Sequence, residues 1–305
     1  MIHIFVINSI STDPEFGTKL REHLEKRGDI RYFVFNTTHR GMEADIVEKM
    51  IHLFEGERLR IYACGGSGTM RNVMQGTGNY KNVELAFIPY GHTNDFLKMF
   101  GEDEVAFKDI DRVVDGHVEY IDYIRTNHGY ALNSVSFGID TELSVALDNV
   151  QELDIFGKKI PFLIAYLQAL LSAKPKLLMY QIDKKVREGN VTELIVGNGA
   201  VLGGQMHFTD DADPTDGVMD YVIGINKTGF GIIKVLAQMI KGNMSEVRKT
   251  TVNGKCSSFK LKNFDGSNLS LNLDGEIVHG GSEWEIEIVQ KGMAFVIPKG
   301  VTMKF

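Results

Sequence analysis

A chain of 305 residues, 43% hydrophobic and 24% charged, can bury a sizeable core and is not a disordered chain, with room for two ordinary domains. Its formal net charge of -7 argues against a nucleic-acid partner, because such a binder needs surplus Lys and Arg to displace counterions from the phosphate backbone. Cys64 and Cys256, far apart and without a CxxC spacing, argue against a disulfide framework or a cysteine zinc site, and fit a reducing cytoplasm.

The N-terminus, MIHIFVINS, lacks the basic start, apolar middle and cleavage site of a signal peptide and is expected to be a mature first strand. Strand-like and helix-like segments then alternate: Ile2 to Ile7 and Glu15 to Lys26, Arg31 to Asn36 and Glu43 to Phe54, Leu59 to Cys64 and Met70 to Gln75, Glu84 to Pro89 and Asn94 to Phe100. Short, nearly continuous apolar strands alternating with helices predict a parallel α/β sheet covered on both faces. Ligands in such sheets collect beyond the carboxyl ends of the strands, where Gly65 to Thr69 and Gly91 to Asp95 both lie.

Beyond about residue 105 the pattern changes. Val118 to Arg125, Gly129 to Ser136, Leu177 to Lys184, Glu193 to Gly197, Val218 to Gly224, Ser257 to Lys262, Leu269 to Leu273, Trp284 to Val289 and Met293 to Ile297 read as strands, mostly with no helix between neighbours. That predicts a largely antiparallel, sandwich-like second domain. The expected division is 1–115 for the α/β domain and 116–305 for the β domain, with the last strand free to return to the first. Two helical stretches interrupt the strands, Thr141 to Leu171 and Phe230 to Ile240. Within the first, Phe162, Leu163, Tyr166, Leu167 and Leu170 fall at helical spacing; they read first as core packing. The alternative is a wall for acyl chains or a membrane-facing stripe, with Lys158, Lys159, Lys174 and Lys176 near anionic head groups. No run approaches the ~20 apolar residues that cross a bilayer, so any membrane contact is expected to be peripheral, at the inner face.

The stretch IYACGGSGT, Ile61 to Thr69, runs an apolar strand into three glycines, and a helical segment follows. Glycines let the chain turn sharply and bring N–H groups close to an anion, and a helix start adds positive character. The expected guest is a phosphate, although a tight strand-to-helix connection would look the same. Walker A fails, because no Lys-Ser or Lys-Thr follows the glycines, and GxGxxG fails because Arg71 stands at the third glycine position.

CGGSGT, followed by IPYGHTNDF, resembles the two nucleotide-binding signatures of the diacylglycerol kinase catalytic family, GGDGT and PxGTGNDF. IDYIRTNHGYALNSVSFGID, IVGNGAVLGGQMHF, DADPTDGVMD and LNLDGE are similar to later family segments, in the family's order and across nearly the whole chain. The resemblance implies a two-domain, ATP-dependent lipid kinase that passes the γ-phosphoryl group to a lipid hydroxyl, such as that of diacylglycerol, with Mg²⁺ assistance. Carried over by position, it implies nucleotide contacts at Thr37, Gly65, Gly66, Ser67, Gly68, Thr69, His92, Thr93 and Asn94, with Asp95 opposite the phosphates. It implies Glu276 as the general base with Asp274 beside it, alternation along a strand pointing both carboxylates to one face. It also implies Asp122 in an acidic network near the catalytic metal, and a structural Mg²⁺ on the Asp216 carboxylate and the carbonyls of Asp213 and Val218.

Each reading has a plainer counterpart. Asp-Gly is a strong hairpin signal by itself, the run Asp210, Asp211, Asp213 and Asp216 is compatible with a solvated surface, and Asp122 with a polar residue on a strand. The chain also departs from the pattern. Ser67 replaces the GGDGT aspartate, Arg71 and Asn72 replace an Asn-Glu pair, and His92 and Thr93 replace Thr-Gly. Two alternatives therefore accompany the lipid kinase: a weak or inactive nucleotide- or lipid-binding homologue, and an NAD kinase-like activity. The identity of the lipid acceptor and a homodimer are both left open.

Overall fold

The computed structural model describes residues 1–39, 41–78, 80–90, 94–138, 175–227 and 230–303. The chain forms two compact units, Met1–Asp122 with Lys291–Phe305, and Tyr123–Gln290. In the first, β1 (Ile2–Asn8), β2 (Arg31–Thr37), β3 (Leu59–Gly65) and β4 (Val83–Pro89) pair in parallel in the order β4-β3-β1-β2. β3 and β4 are buried at every residue, as continuous apolar runs require, whereas β2 at the edge is half-buried. From the C-terminal stretch, Ala294 and Phe295 pair in parallel with Glu84 and Leu85.

The strands are joined by α1 (Phe16–Arg27), α2 (Met42–Leu53) and α3 (Ser67–Thr77). Phe16, Leu20 and Leu24, four residues apart, put one stripe of α1 into a core that includes Phe5, Tyr62 and Cys64. α3 starts at Ser67, inside the glycine-rich stretch, earlier than the apolar pattern at Met70 suggests. After β4 the chain makes a 3₁₀ run, Asp95–Lys108, broken at Gly101, then α4 (Ile110–Val114) and β5 (His117–Thr126). A buried ion pair ties these together: Arg60 Nε lies 2.7 Å from Glu84 Oε2, and Arg60 Nη1 donates to the carbonyls of Val114 at 2.7 Å and Gly116 at 3.1 Å. Removing one partner of such a pair typically costs ~3–5 kcal/mol, since it strands the other charge in the interior.

The second unit is antiparallel throughout its described pairs. Its strands are β6 (Gly129–Ala131), β7 (Ser134–Gly138), β8 (Lys176–Ile182), β9 (Lys185–Gly197), β10 (Val201–Leu202), β11 (Met206–His207) and β12 (Met219–Ile225). The helices α5 (Phe230–Ile240) and α6 (Met244–Thr250) follow, then β13 (Val252–Cys256), β14 (Ser258–Asn263), β15 (Ser270–Leu273), β16 (Glu276–His279) and β17 (Glu283–Ile297), which belongs to this unit up to Gln290 and to the first from Lys291 on. β9 organises the unit. Its first half pairs with β8, and Glu193–Gly197 lie between β7 and β12. Trp284, Phe259, Leu261, Leu271, Leu273 and Val196 fill the core. Ile232, Leu236 and Met239 of α5 pack with Ile195 and Val222 in a second cluster. The helical stretch expected over Thr141 to Leu171, with its aromatic stripe and Lys158 and Lys159, lies outside the described residues, as does Lys174.

Candidate functional site

The carboxyl ends of the parallel strands gather a buried polar cluster in the first unit. β1 ends at Asn8, β2 at Thr37 and β3 at Gly65, and Asn8 is in register with Thr37. Asn8 Nδ2 donates to Thr69 Oγ1 at 3.0 Å and lies 3.4 Å from Glu43 Oε1, which also accepts from Thr37 Oγ1 at 3.3 Å. Thr37 and Glu43 are each 1% exposed and Thr69 3%. Glu43 Oε2 has no hydrogen-bond partner among the described residues. A buried carboxylate oxygen in that position is an acceptor available to a cation or a donor.

The glycine turn sits over this cluster. A Cβ on Gly65 would meet Thr69 Oγ1 at 2.3 Å and Thr69 Cβ at 2.7 Å, so only glycine lets the turn close over the threonine. The N-cap of α3 is Gly66, which has no side chain to cap the first N–H groups. Ser67 and Gly68 open the helix, half-buried, and Arg71 is buried with Nη1 3.4 Å from Asn72 Oδ1. A turn without side chains leading into a helix start fits an anionic phosphate. Asn94 is buried and Asp95 opens the 3₁₀ run, while Gly91, His92 and Thr93 lie outside the described residues. Burial pushes the Cys64 thiol well above the ordinary cysteine range, so this neighbour of the turn stays protonated and is no nucleophile.

In the second unit Asp274 and Gly275 form the two-residue turn between β15 and β16, with φ of 52° and 91°. Two successive positive φ values make this the hairpin turn that Asp-Gly favours. The expectation that Asp274 and Glu276 share one face of an extended strand is therefore corrected, because the left-handed backbone at Asp274 breaks the alternation. Asp274 instead points its carboxylate at the chain between β6 and β7. Oδ1 accepts from the backbone N–H of Asn133 and Ser134, both at 2.9 Å, and Oδ2 from Leu132 N–H at 2.5 Å. Glu276, the first residue of β16, is half-buried opposite Leu273. Asp122, 0% exposed, belongs to the first unit, where Oδ1 accepts from Lys291 N–H at 2.6 Å.

The acidic loop holds a cation from its own chain. Lys255 Nζ lies 3.0 Å from Asp216 Oδ2, 3.1 Å from the Asp211 carbonyl oxygen and 3.8 Å from Asp220 Oδ2. The rest of the loop is internally bonded. Asp213 Oδ1 accepts from Thr215 N–H and Oγ1, and Asp216 Oδ1 from Val218 N–H. No group of three or more His, Cys, Asp or Glu side chains among the described residues is arranged to hold a metal. Of the residues expected to hold a structural Mg²⁺, Asp216 already gives one carboxylate oxygen to the lysine and the other to Val218 N–H, and the Asp213 carboxylate is taken up by Thr215, so the one side-chain ligand expected for the ion does not fit a magnesium ion here.

Asn8, Glu43 and Lys255 escape the motif reading. Glu43 carries the one usable signal, an acidic side chain in the first turn of an otherwise apolar-faced helix. Among the described residues, no helix is long and apolar enough to cross a membrane.

Residues 3–126 match the diacylglycerol kinase catalytic domain, and residues 133–289 match the YegS C-terminal NAD kinase beta sandwich-like domain. A Staphylococcus haemolyticus protein named "putative lipid kinase" is 30% identical over 57% of this chain and 56% of its own length. The match therefore takes in little more than half of that relative. A Staphylococcus epidermidis protein of the same name is 25% identical over 80% of this chain and 75% of its own. Among solved structures, a "putative diacylglycerol kinase" from Bacillus anthracis superposes with a TM-score of 0.74 at 19% identity, covering 98% of this chain and 96% of that one. A likeness at that identity bears on the fold alone.

Proposed function

This chain belongs to the diacylglycerol kinase catalytic domain family, with a YegS-type C-terminal domain, and from that membership we propose that it is an ATP-dependent lipid kinase transferring the γ-phosphoryl group to a lipid hydroxyl such as that of diacylglycerol. The observation that carries the reading is the Gly65–Thr69 turn, too tight for any Cβ at Gly65 and closing on a buried Asn8–Thr37–Glu43–Thr69 cluster. Backbone N–H groups of Gly66, Ser67 and Gly68 would receive the phosphates, with Asn94 and Asp95 approaching from the next strand end. Thr37 acts from below by holding Glu43. Phosphoryl transfer asks mainly for positioning and charge neutralisation, which such a cradle supplies.

Glu276 takes the proton from the acceptor hydroxyl, and Asp274 positions it by fixing the hairpin on three N–H groups. Glu43 Oε2, buried and without a hydrogen-bond partner among the described residues, would answer a cation near the turn, and a magnesium ion bound with the nucleotide would supply charge neutralisation on the phosphates. Ser67 favours one second reading, a nucleotide- or lipid-binding homologue with little catalysis, since a hydroxyl replaces a carboxylate at the phosphate end.

The test is transfer of labelled phosphate from ATP with magnesium to diacylglycerol, phosphatidylglycerol, a sphingoid base or an undecaprenyl-type alcohol in mixed micelles. Glu276→Gln is expected to lower the rate by roughly 10²–10⁴-fold, the range for a lost general base, while ATP binding persists. ATP binding without transfer to any lipid selects the second reading, and phosphorylation of NAD selects an NAD kinase-like activity.

A further inference from the structure

We propose that the Lys255 ammonium fills the cation seat of the acidic loop between Phe208 and Asp220, so that this loop is held by a protein side chain where a divalent ion would otherwise sit. The ammonium has the Asp216 carboxylate at 3.0 Å and the Asp211 carbonyl at 3.1 Å, with Asp220 at 3.8 Å. An ammonium is a compact point charge whose donors here reach the Asp216 and Asp211 oxygens, while Asp220 adds its charge without a hydrogen bond. Magnesium needs a near-octahedral shell at about 2.0–2.1 Å, and cannot share the Asp216 oxygen with a cation already beside it. A second internal cation answers another acid of the run, Arg248 Nη2 lying 2.5 Å from Asp210 Oδ2.

The register explains why it is this lysine. Lys255 stands on β13 directly across from Asp220 on β12, which leads out of the loop, so sheet pairing delivers the ammonium to the loop's base. The seat faces a cleft lined by Thr209, Asp211, Asp220 and Arg248, so a dissolved ion has a route to it once the ammonium is removed.

The experiment is thermal unfolding of the nucleotide-free full chain in chelator, in millimolar magnesium and in millimolar calcium. The native chain is expected to melt at the same temperature in all three, or to show only an ion effect that Asp216→Asn leaves intact. Lys255→Met should lower the transition by a few degrees in chelator and regain part of it with added ion, a gain that Asp216→Asn in the same chain abolishes. An ion-dependent rise in the native chain that Asp216→Asn removes would overturn the proposal, as would a Lys255→Met loss that no ion restores, or no loss at all. Should Lys255→Met not fold, calorimetric titration of magnesium into native chain and Asp216→Asn decides, equal heats supporting the lysine and a signal lost with Asp216 refuting it. None of these readouts depends on kinase activity.

Discussion

The carboxylate of Asp274 accepts three backbone N–H groups from Leu132, Asn133 and Ser134, and is 8% exposed. A buried acceptor so engaged cannot also shuttle a proton without releasing the β6–β7 connection, which separates its role from that of Glu276. Asp274→Asn would turn an NH₂ donor or a neutral oxygen toward three donors, costing ~1–3 kcal/mol for the buried groups left unpaired. The expected result is a lower melting temperature together with a partial loss of transfer rate. Glu276→Gln should leave the melting temperature nearly unchanged while removing most of kcat. If both variants lost rate equally with no change in melting, Asp274 would belong with the reacting groups and the positioning role would be wrong.

At the scale of elements, the turn between β3 and α3 depends on the absence of one carbon. In Gly65→Ala the new Cβ would stand 2.3 Å from Thr69 Oγ1, and Thr69 cannot swing freely because Asn8 Nδ2 holds its hydroxyl. Overpacking of this kind costs ~1–3 kcal/mol, and the strand-to-helix path must open to relieve it. ATP affinity measured by calorimetry is expected to fall at least tenfold, the equivalent of ~1.4 kcal/mol. Thr69→Ala added to Gly65→Ala should restore only part of it, since the Thr69 Cβ contact at 2.7 Å remains; unchanged affinity in Gly65→Ala would remove the turn from the nucleotide site. The turn was legible in the sequence because three glycines after a buried apolar strand permit a sharp bend into the helix that follows, and the alternating α/β elements because β3 and β4 are apolar at nearly every residue. The first half of β9 was not, as KVREG is charged and exposed and its strand character comes from pairing with β8. The two runs expected at Trp284 to Val289 and Met293 to Ile297 are a single strand, β17, with Lys291 at φ 48° between them. Lys255 could not be read as a partner of Asp216 from spacing, because cross-strand register brings them together.

For the whole molecule, the titration of one histidine separates two causes of acid instability. His3 is 4% exposed on β1, its Nδ1 2.7 Å from the Tyr62 hydroxyl. Burial first, then Arg60, the N-terminal ammonium and Arg27, with Glu84 opposing, lower its pKa from 6.5 to about 4. The folded state thus binds fewer protons here than the unfolded chain, so stability is full above the unfolded value of 6.5 and drains away as pH falls toward about 4. A shift of that size corresponds to about 3 kcal/mol. Glu84 has the opposite history. Burial raises its pKa, Arg58 and Arg60 more than reverse this, and its stabilisation is lost only below the ordinary carboxylate value of 4.5. Urea unfolding of the first unit should therefore weaken steadily from pH 6.5 to pH 4.5, before Glu84 begins to protonate. In His3→Gln, which keeps a polar partner for Tyr62 and cannot take up a proton, the same interval should be flat. An equal slope in the variant would mean that the acid sensitivity resides elsewhere, and that the interior around Tyr62 admits enough water to let His3 titrate normally.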